Sequence, residues 1–432
     1  MIKTIIPTYI INLEKRKDRR LYIEQEFANR VEFNLTIVKA IEDKVPAIGL
    51  YKTVKNILIQ AKGLLLPYVL ICEDDHQFTK NYNAIDFVKA INYLNKEDVD
   101  IYLGGISWFD YAIEKKGEFY WVNSFNGTQF MIIYSRSYDR LLNADFQEDM
   151  TIDIWISQLS KKVYVSVPML SIQKDFGYSD VTEKNNVSGK VEKYFRDTIN
   201  RFEALGHIYD YLYNRPLPLV IPDFRDMQLP TYIIGFKFHK NNLSHVMSQF
   251  KFRNEFKLTR IEAFCEKKGT LSLWKSIRQT IKLAKKRKDD VILICEDDHV
   301  FCEYYDKKIL FSSIYQGSYL GADIILGGIS HIGQAIPISE YLCWIDKFQS
   351  KQFIVIFNHF FDSILEEEFN DYDAIDLKFS EMTPNKYVIH PFISLQNNFD
   401  ISLKGLNTQK QLNVFQKCHL QLDNIRLKKS LS

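Results

Sequence analysis

One acidic motif occurs twice in this sequence, each time at the end of an apolar segment. Cys-Glu-Asp-Asp-His at residues 72–76 recurs at residues 295–299, which is 223 residues further along the chain. The same separation relates further positions, namely 7–11 to 230–234, 103–107 to 326–330, 129–130 to 352–353, Asp153 to Asp376, and Gln173 to Gln396. A constant separation over this length predicts a duplicated domain whose two copies align without insertions.

Prolines mark the boundary between the two copies. Pro216, Pro218, Pro222 and Pro230 cluster there, and proline-rich segments favour extended linkers. The preceding residues 191–213 have the apolar spacing of an amphipathic connecting helix. We therefore predict a first domain at residues 1–190, a connecting helix and linker at 191–228, a second domain at 229–415, and a basic C-terminal tail at 416–432.

Within each copy, apolar strand-like segments alternate with helix-like segments. In the first copy the sequence predicts strands at 8–13, 35–40, 68–72, 100–103, 130–134 and 163–168, and helices at 14–27, 50–62 and 84–94. This alternation is typical of an α/β domain with a mostly parallel sheet and helices on both faces.

Charge and composition exclude several kinds of partner. The net charge is +2, so no global field attracts nucleic acid. A basic run at residues 282–288 is expected to be the solvated end of a helix, or else to contact an anionic membrane surface.

No apolar run could span a bilayer, and residues 1–13 lack the pattern of a secretory signal. The six cysteines form no CxxC pair, so we expect reduced thiols and a cytoplasmic location, with peripheral contact at the cytoplasmic membrane face as the alternative.

The repeated motif places acidic residues directly after a buried strand. In open α/β sheets, ligands bind outside the carboxyl ends of the strands. Clustered carboxylates repel one another unless a cation is present, and Mn²⁺ or Mg²⁺ prefers such oxygen ligands. The candidate metal ligands are Glu73, Asp74, Asp75 and His76 in the first copy, and Glu296, Asp297, Asp298 and His299 in the second. The alternatives are an acidic loop that caps the next helix and, for the histidines, hydrogen bonds to the carboxylates.

Two further features recur near the motif. Gly104-Gly105 and Gly327-Gly328 follow the next strand, where glycine allows either close approach to a ligand or a plain turn. Asp153 and Asp376 begin a predicted helix, and each is a candidate general base or a helix N-cap.

The two copies differ near their ends. The first contains Gly177-Tyr178-Ser179-Asp180, a turn-rich segment that the second lacks. This segment either closes over a bound molecule, which would make the first copy the more complete site, or leads into the connecting helix.

These residues resemble the family 25 glycosyltransferases of the lipopolysaccharide-biosynthesis type. The likeness covers most of the first copy and, more weakly, the second. It rests on the opening strand with Asn12-Leu13 and its basic helix, on the acidic motif at 71–75, on Asp153, and on Ser179-Asp180-Val181. The first copy lacks the family's Gly-Cys-x-x-Ser-His segment, and the second lacks the opening Asn-Leu-Glu-Lys-Arg pattern.

The resemblance implies two tandem GT-A-like (Rossmann-like) domains, the second either active or degenerate. It implies a nucleotide-diphosphate sugar donor, Mn²⁺ or Mg²⁺, inversion at the sugar, and a glycan or lipid-linked saccharide acceptor. The expected donor-binding residues are Asn12, Gly104, Gly105, Gln129, Ser179 and Asp180, with Gly327, Gly328 and Gln352 in the second copy.

Two other functions remain open at this point. A nucleotidyltransferase or metal-dependent phosphohydrolase often has a glycine-rich phosphate loop after the first strand, and the segment at 12–16 has no glycine. A non-catalytic carbohydrate-binding scaffold would not need the acids that both copies keep.

Overall fold

The computed structural model describes residues 5–115, 118–147, 149–178, 187–218, 222–235, 240–264, 269–370, 372–397 and 406–430. The chain divides into two compact units, Met1–Ile208 and Tyr209–Ser432. The first unit contains the first copy of the repeat and the second unit contains the second copy.

The first unit has twelve described strands and six helices, counting the helix at its C-terminal boundary. The strands are β1 (Ile6–Asn12), β2 (Phe33–Lys39), β3 (Tyr68–Glu73), β4 (His76–Phe78), β5 (Ile101–Leu103), β6 (Trp108–Phe109), β7 (Ala112–Lys115), β8 (Phe119–Val122), β9 (Phe125–Asn126), β10 (Phe130–Tyr134), β11 (Val163–Ser166) and β12 (Ser171–Gln173). The helices are α1 (Lys17–Glu26), α2 (Pro46–Gly63), α3 (Ala84–Lys96), α4 (Tyr138–Asn143), α5 (Ile152–Leu159) and α6 (Lys190–Tyr213).

Eight of these strands form one sheet in the order β2-β1-β3-β10-β5-β11-β8-β7. β1 pairs in parallel with β2 and β3, and β5 pairs in parallel with β11. β10 and β8 run against their neighbours, so six of the eight strands share one direction. The sheet is mixed and mostly parallel.

The second unit repeats this arrangement. Its strands are β13 (Leu229–Gly235), β14 (Phe256–Glu262), β15 (Val291–Glu296), β16 (His299–Phe301), β17 (Ile324–Leu326), β18 (His331–Ile332), β19 (Ala335–Pro337), β20 (Leu342–Ile345), β21 (Phe348–Gln349), β22 (Phe353–Phe357), β23 (Lys386–Ile389) and β24 (Ser394–Gln396). Its helices are α7 (Lys240–Gln249), α8 (Gly269–Arg287), α9 (Lys307–Tyr319), α10 (Phe361–Glu366), α11 (Ile375–Met382) and α12 (Leu406–Ser430). The large sheet has the order β14-β13-β15-β22-β17-β23-β20-β19, which corresponds strand by strand to that of the first unit.

The central strands form because their side chains are apolar on both faces. In β10 all five residues are buried, and in β3 all but the terminal Glu73 are buried. Continuous apolar runs of this kind suit strands that are covered by helices on both sides. The fold prediction is confirmed in both units: each is an α/β domain with a mostly parallel sheet flanked by helices.

The C-terminal segment differs from its prediction as a basic tail. It forms most of α12, in which Phe415, Cys418, Leu422 and Ile425 are buried. Phe195 and Phe202 of α6 stand 223 residues before Cys418 and Ile425 and are also buried. The repeat therefore extends through the last helix of each copy, and α6 is the closing helix of the first copy as well as a connector.

The basic run at 282–288 falls at the end of α8, which has three basic residues in its last turn. Lys285 forms an exposed ion pair with Asp362, as expected of a solvated helix end. Within the described ranges, none of the helices combines the length and the apolar character needed to cross a membrane.

Candidate functional site

The acidic motif lies at the carboxyl end of the third strand of each copy. β3 ends at Glu73 and β15 ends at Glu296. The Glu73 amide donates to the Gln129 carbonyl at 3.1 Å, and the Glu296 amide donates to the Gln352 carbonyl at the same distance. Both copies therefore hold their first acid in the same backbone frame, at the sheet edge where α/β proteins bind ligands.

A buried arginine neutralises part of the acidic cluster in the first copy. Arg19 of α1 places Nη1 3.1 Å from Asp74 Oδ1 and 3.5 Å from Asp75 Oδ2. Asn12, at the end of β1, donates from Nδ2 to Asp74 Oδ2 at 2.7 Å. Both carboxylate oxygens of Asp74 thus accept hydrogen bonds from protein donors, and the Asn12 side chain binds a residue of the acidic motif.

Tyr178 fixes the far side of the arginine. Arg19 Nη2 donates to the Tyr178 carbonyl at 3.0 Å, and Nε donates to its hydroxyl at 3.2 Å. The Tyr178 hydroxyl donates in turn to Asp18 at 2.9 Å. The start of the turn-rich segment is therefore tied to α1, beside the acids. Ser179 and Asp180, predicted as donor-binding residues, lie outside the described residues.

Glu73 faces a different neighbourhood. Thr128 donates a hydrogen bond from Oγ1 to Glu73 Oε1 at 2.6 Å. Burial, together with the nearby charges of Asp74 and Asp153, raises the pKa of Glu73 to about 7, against the opposing effect of the Thr128 hydrogen bond. Burial and the charge of Glu73 also raise the pKa of Asp75 well above its ordinary value. A divalent cation would reverse both effects, because it favours the ionised carboxylates.

Asp153 is the second residue of α5, and Thr151 is the residue that precedes this helix. Asp153 Oδ2 accepts a hydrogen bond from the Gly127 amide at 3.2 Å. Asp153 Oδ1 accepts from the Ile154 amide at 3.0 Å and from the Thr151 hydroxyl. Gly127 has φ +117°, a conformation that favours glycine. These hydrogen bonds fix the position of the Asp153 carboxylate at the N-terminus of α5.

These groups share one cavity of about 1190 Å³ in the first unit. Its lining includes the carboxylates of Glu73, Asp74, Asp75 and Asp153, together with Arg19, Thr128, Trp108, Tyr178, Tyr194 and Arg201. The volume exceeds the roughly 300–1,000 Å³ that is typical of small-molecule sites. It can therefore hold an extended polar molecule over the acids.

The oxygen atoms in the first copy fit a hard divalent cation. Asp75 Oδ1 is buried, and it has no hydrogen-bond partner among the described residues. An acceptor without a partner is costly to bury, and Mg²⁺ or Mn²⁺ would satisfy it. Glu73 and Asp75 are the residues that would hold the ion, because Arg19 and Asn12 occupy both oxygens of Asp74, whereas Arg19 contacts only Oδ2 of Asp75.

The histidines lie behind the acids, in the aromatic core. His76 is fully buried, its Nδ1 is 2.7 Å from Ser171 Oγ, and its ring stacks on Phe130 at 4.5 Å. His299 has the same contact with Ser394 at 2.8 Å. Burial lowers the pKa of both rings, that of His299 to about 3. Their hydroxyl partners make them anchors of β4 and β16, and metal ligation by either ring stays a prediction.

The glycine pairs and the glutamines are part of the same internal packing. A Cβ atom on Gly105 would lie 1.9 Å from the Ser171 carbonyl oxygen, and one on Gly328 would lie 2.1 Å from that of Ser394. Gln129 donates to the Gly105 carbonyl at 3.0 Å, and Gln352 donates to the Gly328 carbonyl at 3.3 Å. A Cβ atom on Gly104 would collide with the ring of Phe130, and one on Gly327 would collide with the ring of Phe353. The need for glycine at these four positions is thus explained by packing, and donor binding by them and by the glutamines stays a prediction.

The second copy places its cation elsewhere. Lys351 Nζ lies 3.1 Å from Glu296 Oε1 and 3.4 Å from Asp376 Oδ1. The Ser350 amide donates to Asp376 Oδ2 at 2.8 Å, as Gly127 does to Asp153. Asp298 Oδ2 accepts from Gln396 at 2.6 Å, and burial raises the pKa of Asp298 to about 7. Asp297 is buried beside them.

Sequence reasoning predicted the acids but missed the residues that balance them, namely Arg19, Thr128 and Lys351. Thr128 and Lys351 occupy corresponding positions in the two copies. A position-by-position comparison would have shown a hydroxyl replaced by an ammonium group next to the shared glutamine. Arg19 gave only the general signal of a basic helix.

No protein-family model and no curated protein matches the chain. Among solved structures, apo UDP-glucose pyrophosphorylase is similar over 46% of this chain and 82% of that chain, at 8% identity and a TM-score of 0.27. A mannosyltransferase from Pyrobaculum calidifontis, in complex with GDP-Man and Mn²⁺, covers 43% of this chain and 60% of its own, at 10% identity and a TM-score of 0.25. A mannose-1-phosphate geranyltransferase from Thermus thermophilus covers 64% and 84%, at 9% identity and a TM-score of 0.23. Likeness at these scores carries no functional assignment.

Proposed function

We propose that the chain is a metal-dependent glycosyltransferase of the family 25 type. It transfers a sugar, with inversion, from a nucleotide-diphosphate donor to a hydroxyl of a glycan or lipid-linked saccharide. The proposed setting is lipopolysaccharide or surface-glycan synthesis at the cytoplasmic face of the membrane. The observation that carries the proposal is that Glu73, Asp75 and Asp153 line one cavity, with an unpartnered oxygen of Asp75 buried beside it.

Asp153 is the proposed general base. Its carboxylate lines the cavity and is positioned by hydrogen bonds from the Gly127 and Ile154 amides. It takes the proton from the acceptor hydroxyl while the acceptor oxygen bonds to the anomeric carbon. The bond from that carbon to the diphosphate breaks, and its electron pair leaves with the diphosphate oxygen.

Glu73 and Asp75 would hold the divalent ion, which would supply positive charge where the departing diphosphate accumulates negative charge. Arg19 neutralises Asp74 and contacts Asp75 through Oδ2 alone, so that Asp75 Oδ1 and Glu73 remain for the ion. The exposed ring of Trp108 lines the cavity and offers a flat apolar face to a base or a sugar.

A screen of nucleotide sugars tests this proposal. The full chain is incubated with each donor, with Mn²⁺ or with EDTA, and release of the nucleoside diphosphate is measured. We expect metal-dependent release from at least one donor and its loss in Asp75→Ala. Release that persists at the wild-type rate in Asp75→Ala, in a folded chain, would refute the metal assignment.

A further inference from the structure

The two copies carry acids at four corresponding positions, and each has a buried cation among them. In the first copy the cation is Arg19, which lies against Asp74 and Asp75. In the second copy it is Lys351, which lies between Glu296 and Asp376. The position that corresponds to Arg19 is Asn242, so the cation has changed both its residue and its place.

The place matters because it decides which carboxylates remain available. In the first copy Arg19 contacts Asp74 and only one oxygen of Asp75, Oδ2, while Glu73 has a hydroxyl partner in Thr128 and Asp153 has its backbone donors. With Lys351 in the second copy, the residues that match Glu73 and Asp153 both face one ammonium group. The side chains of Lys351, Glu296 and Asp376 are 17%, 20% and 21% exposed, so solvent weakens these contacts little.

We propose that the second copy takes no divalent cation, because the Lys351 ammonium group stands against the carboxylates that would hold the ion and serve as the base. The inference rests on the proposed function and deepens it: each chain has one metal-dependent transfer site, in the first copy. Asp298 Oδ1 is buried without a hydrogen-bond partner among the described residues, as Asp75 Oδ1 is, so the copies differ at the other ligand. Glu73 accepts from the Thr128 hydroxyl, whereas Glu296 lies 3.1 Å from Lys351 Nζ, where a further positive charge would be repelled. Asp376 faces this ammonium group, whereas Asp153 accepts hydrogen bonds from the Gly127 and Ile154 amides.

Counting bound Mn²⁺ tests the inference without any substrate. Mn²⁺ is titrated into the full chain, and bound ion is measured by isothermal titration calorimetry and by the electron paramagnetic resonance signal of free Mn²⁺. We expect one site per chain, which is lost in Glu73→Gln and kept in Glu296→Gln. Two sites, or one site that is lost only in Glu296→Gln, would overturn the inference. No Mn²⁺ binding at all would instead overturn the proposed function.

Exchanging the two corresponding residues gives a reciprocal test. Thr128→Lys brings the second copy's ammonium group to the first copy and should abolish Mn²⁺ binding. Lys351→Thr should raise the count from one to two, and Lys351→Met, which removes the charge but fills the space, controls for loss of packing. Circular dichroism and the thermal midpoint confirm folding.

A folded Lys351→Thr chain that still binds one Mn²⁺ would contradict the role given to Lys351. If Lys351→Thr does not fold, the number of Mn²⁺ ions bound by the wild type and by Thr128→Lys still tests the inference. A folded Thr128→Lys chain with undiminished Mn²⁺ binding would overturn it equally.

Discussion

Thr128 donates a 2.6 Å hydrogen bond to Glu73, and that carboxyl group titrates near neutral pH. Burial raises its pKa from about 4.5 to about 7. The folded state therefore holds a proton that the unfolded chain has already released, so stability falls as pH rises from about 4.5 to about 7.

Glu73→Gln removes this cost and keeps an acceptor for Thr128. We expect the variant to be more stable than the wild type at pH 8, by on the order of 2 kcal/mol, and equal to it at pH 4. Thermal midpoints at the two pH values measure the effect. Glu296→Gln is the matched change in the second copy, and it should destabilise by about 1–3 kcal/mol at pH 8, because Lys351 loses its nearer partner. The same sign in both copies would contradict this account.

Asp153→Asn should lower the rate of sugar transfer roughly a hundredfold to ten-thousandfold, because an amide cannot take the proton of the acceptor hydroxyl. Mn²⁺ affinity should change little, since Glu73 and Asp75 hold the ion. The measurements are initial rates with a donor found in the screen, and Mn²⁺ titration. Asp376→Asn serves as the control and should leave transfer intact. Equal losses in the two variants would mean that both copies catalyse transfer.

Arg19→Ala should destabilise the chain by about 3–5 kcal/mol, because it leaves the buried carboxylates of Asp74 and Asp75 without their cation. The Arg19 side chain is only 9% exposed. Denaturant unfolding, followed by circular dichroism, measures the loss. Arg20 is the neighbouring control, because its ion pair with Glu24 is half exposed, and Arg20→Ala should cost less than about 1 kcal/mol. Mn²⁺ stabilises any folded chain that binds it, and it should stabilise Arg19→Ala by more than it stabilises the wild type or Arg20→Ala.

Gly105→Ala should destabilise the folded chain by about 3 kcal/mol or more, because its Cβ atom would lie 1.9 Å from the Ser171 carbonyl oxygen. That oxygen can move only if the backbone of β12 moves with it. Gly63→Ala is the control, because a Cβ atom there meets nothing within 4 Å. Thermal midpoints of both variants measure the contrast. A tolerated Gly105→Ala would indicate that the glycine is kept for ligand approach instead.

Much of the fold can be predicted from local sequence patterns, but only part of the candidate site can be predicted in this way. The apolar runs of β3 and β10 predict buried strands, because no other element buries every residue of so short a segment. β7 and β8 were missed, since β7 is a short edge strand with Glu114 and Lys115 at its end. The acids were predicted from their place after β3. Their contact with Arg19, 55 residues away in the chain, arises only when α1 packs beside the strand end.

α6 contributes directly to the site. Thr198 donates from Oγ1 to the Ser107 carbonyl at 2.6 Å, and Arg201 donates from Nη2 to that of Asp110 at the same distance. Ser107, Thr198 and Arg201 all line the cavity. A fragment cut at residue 190, where the sequence suggests that the first domain ends, would therefore remove one wall of the proposed donor pocket. The smallest piece with an intact pocket must carry its final helix.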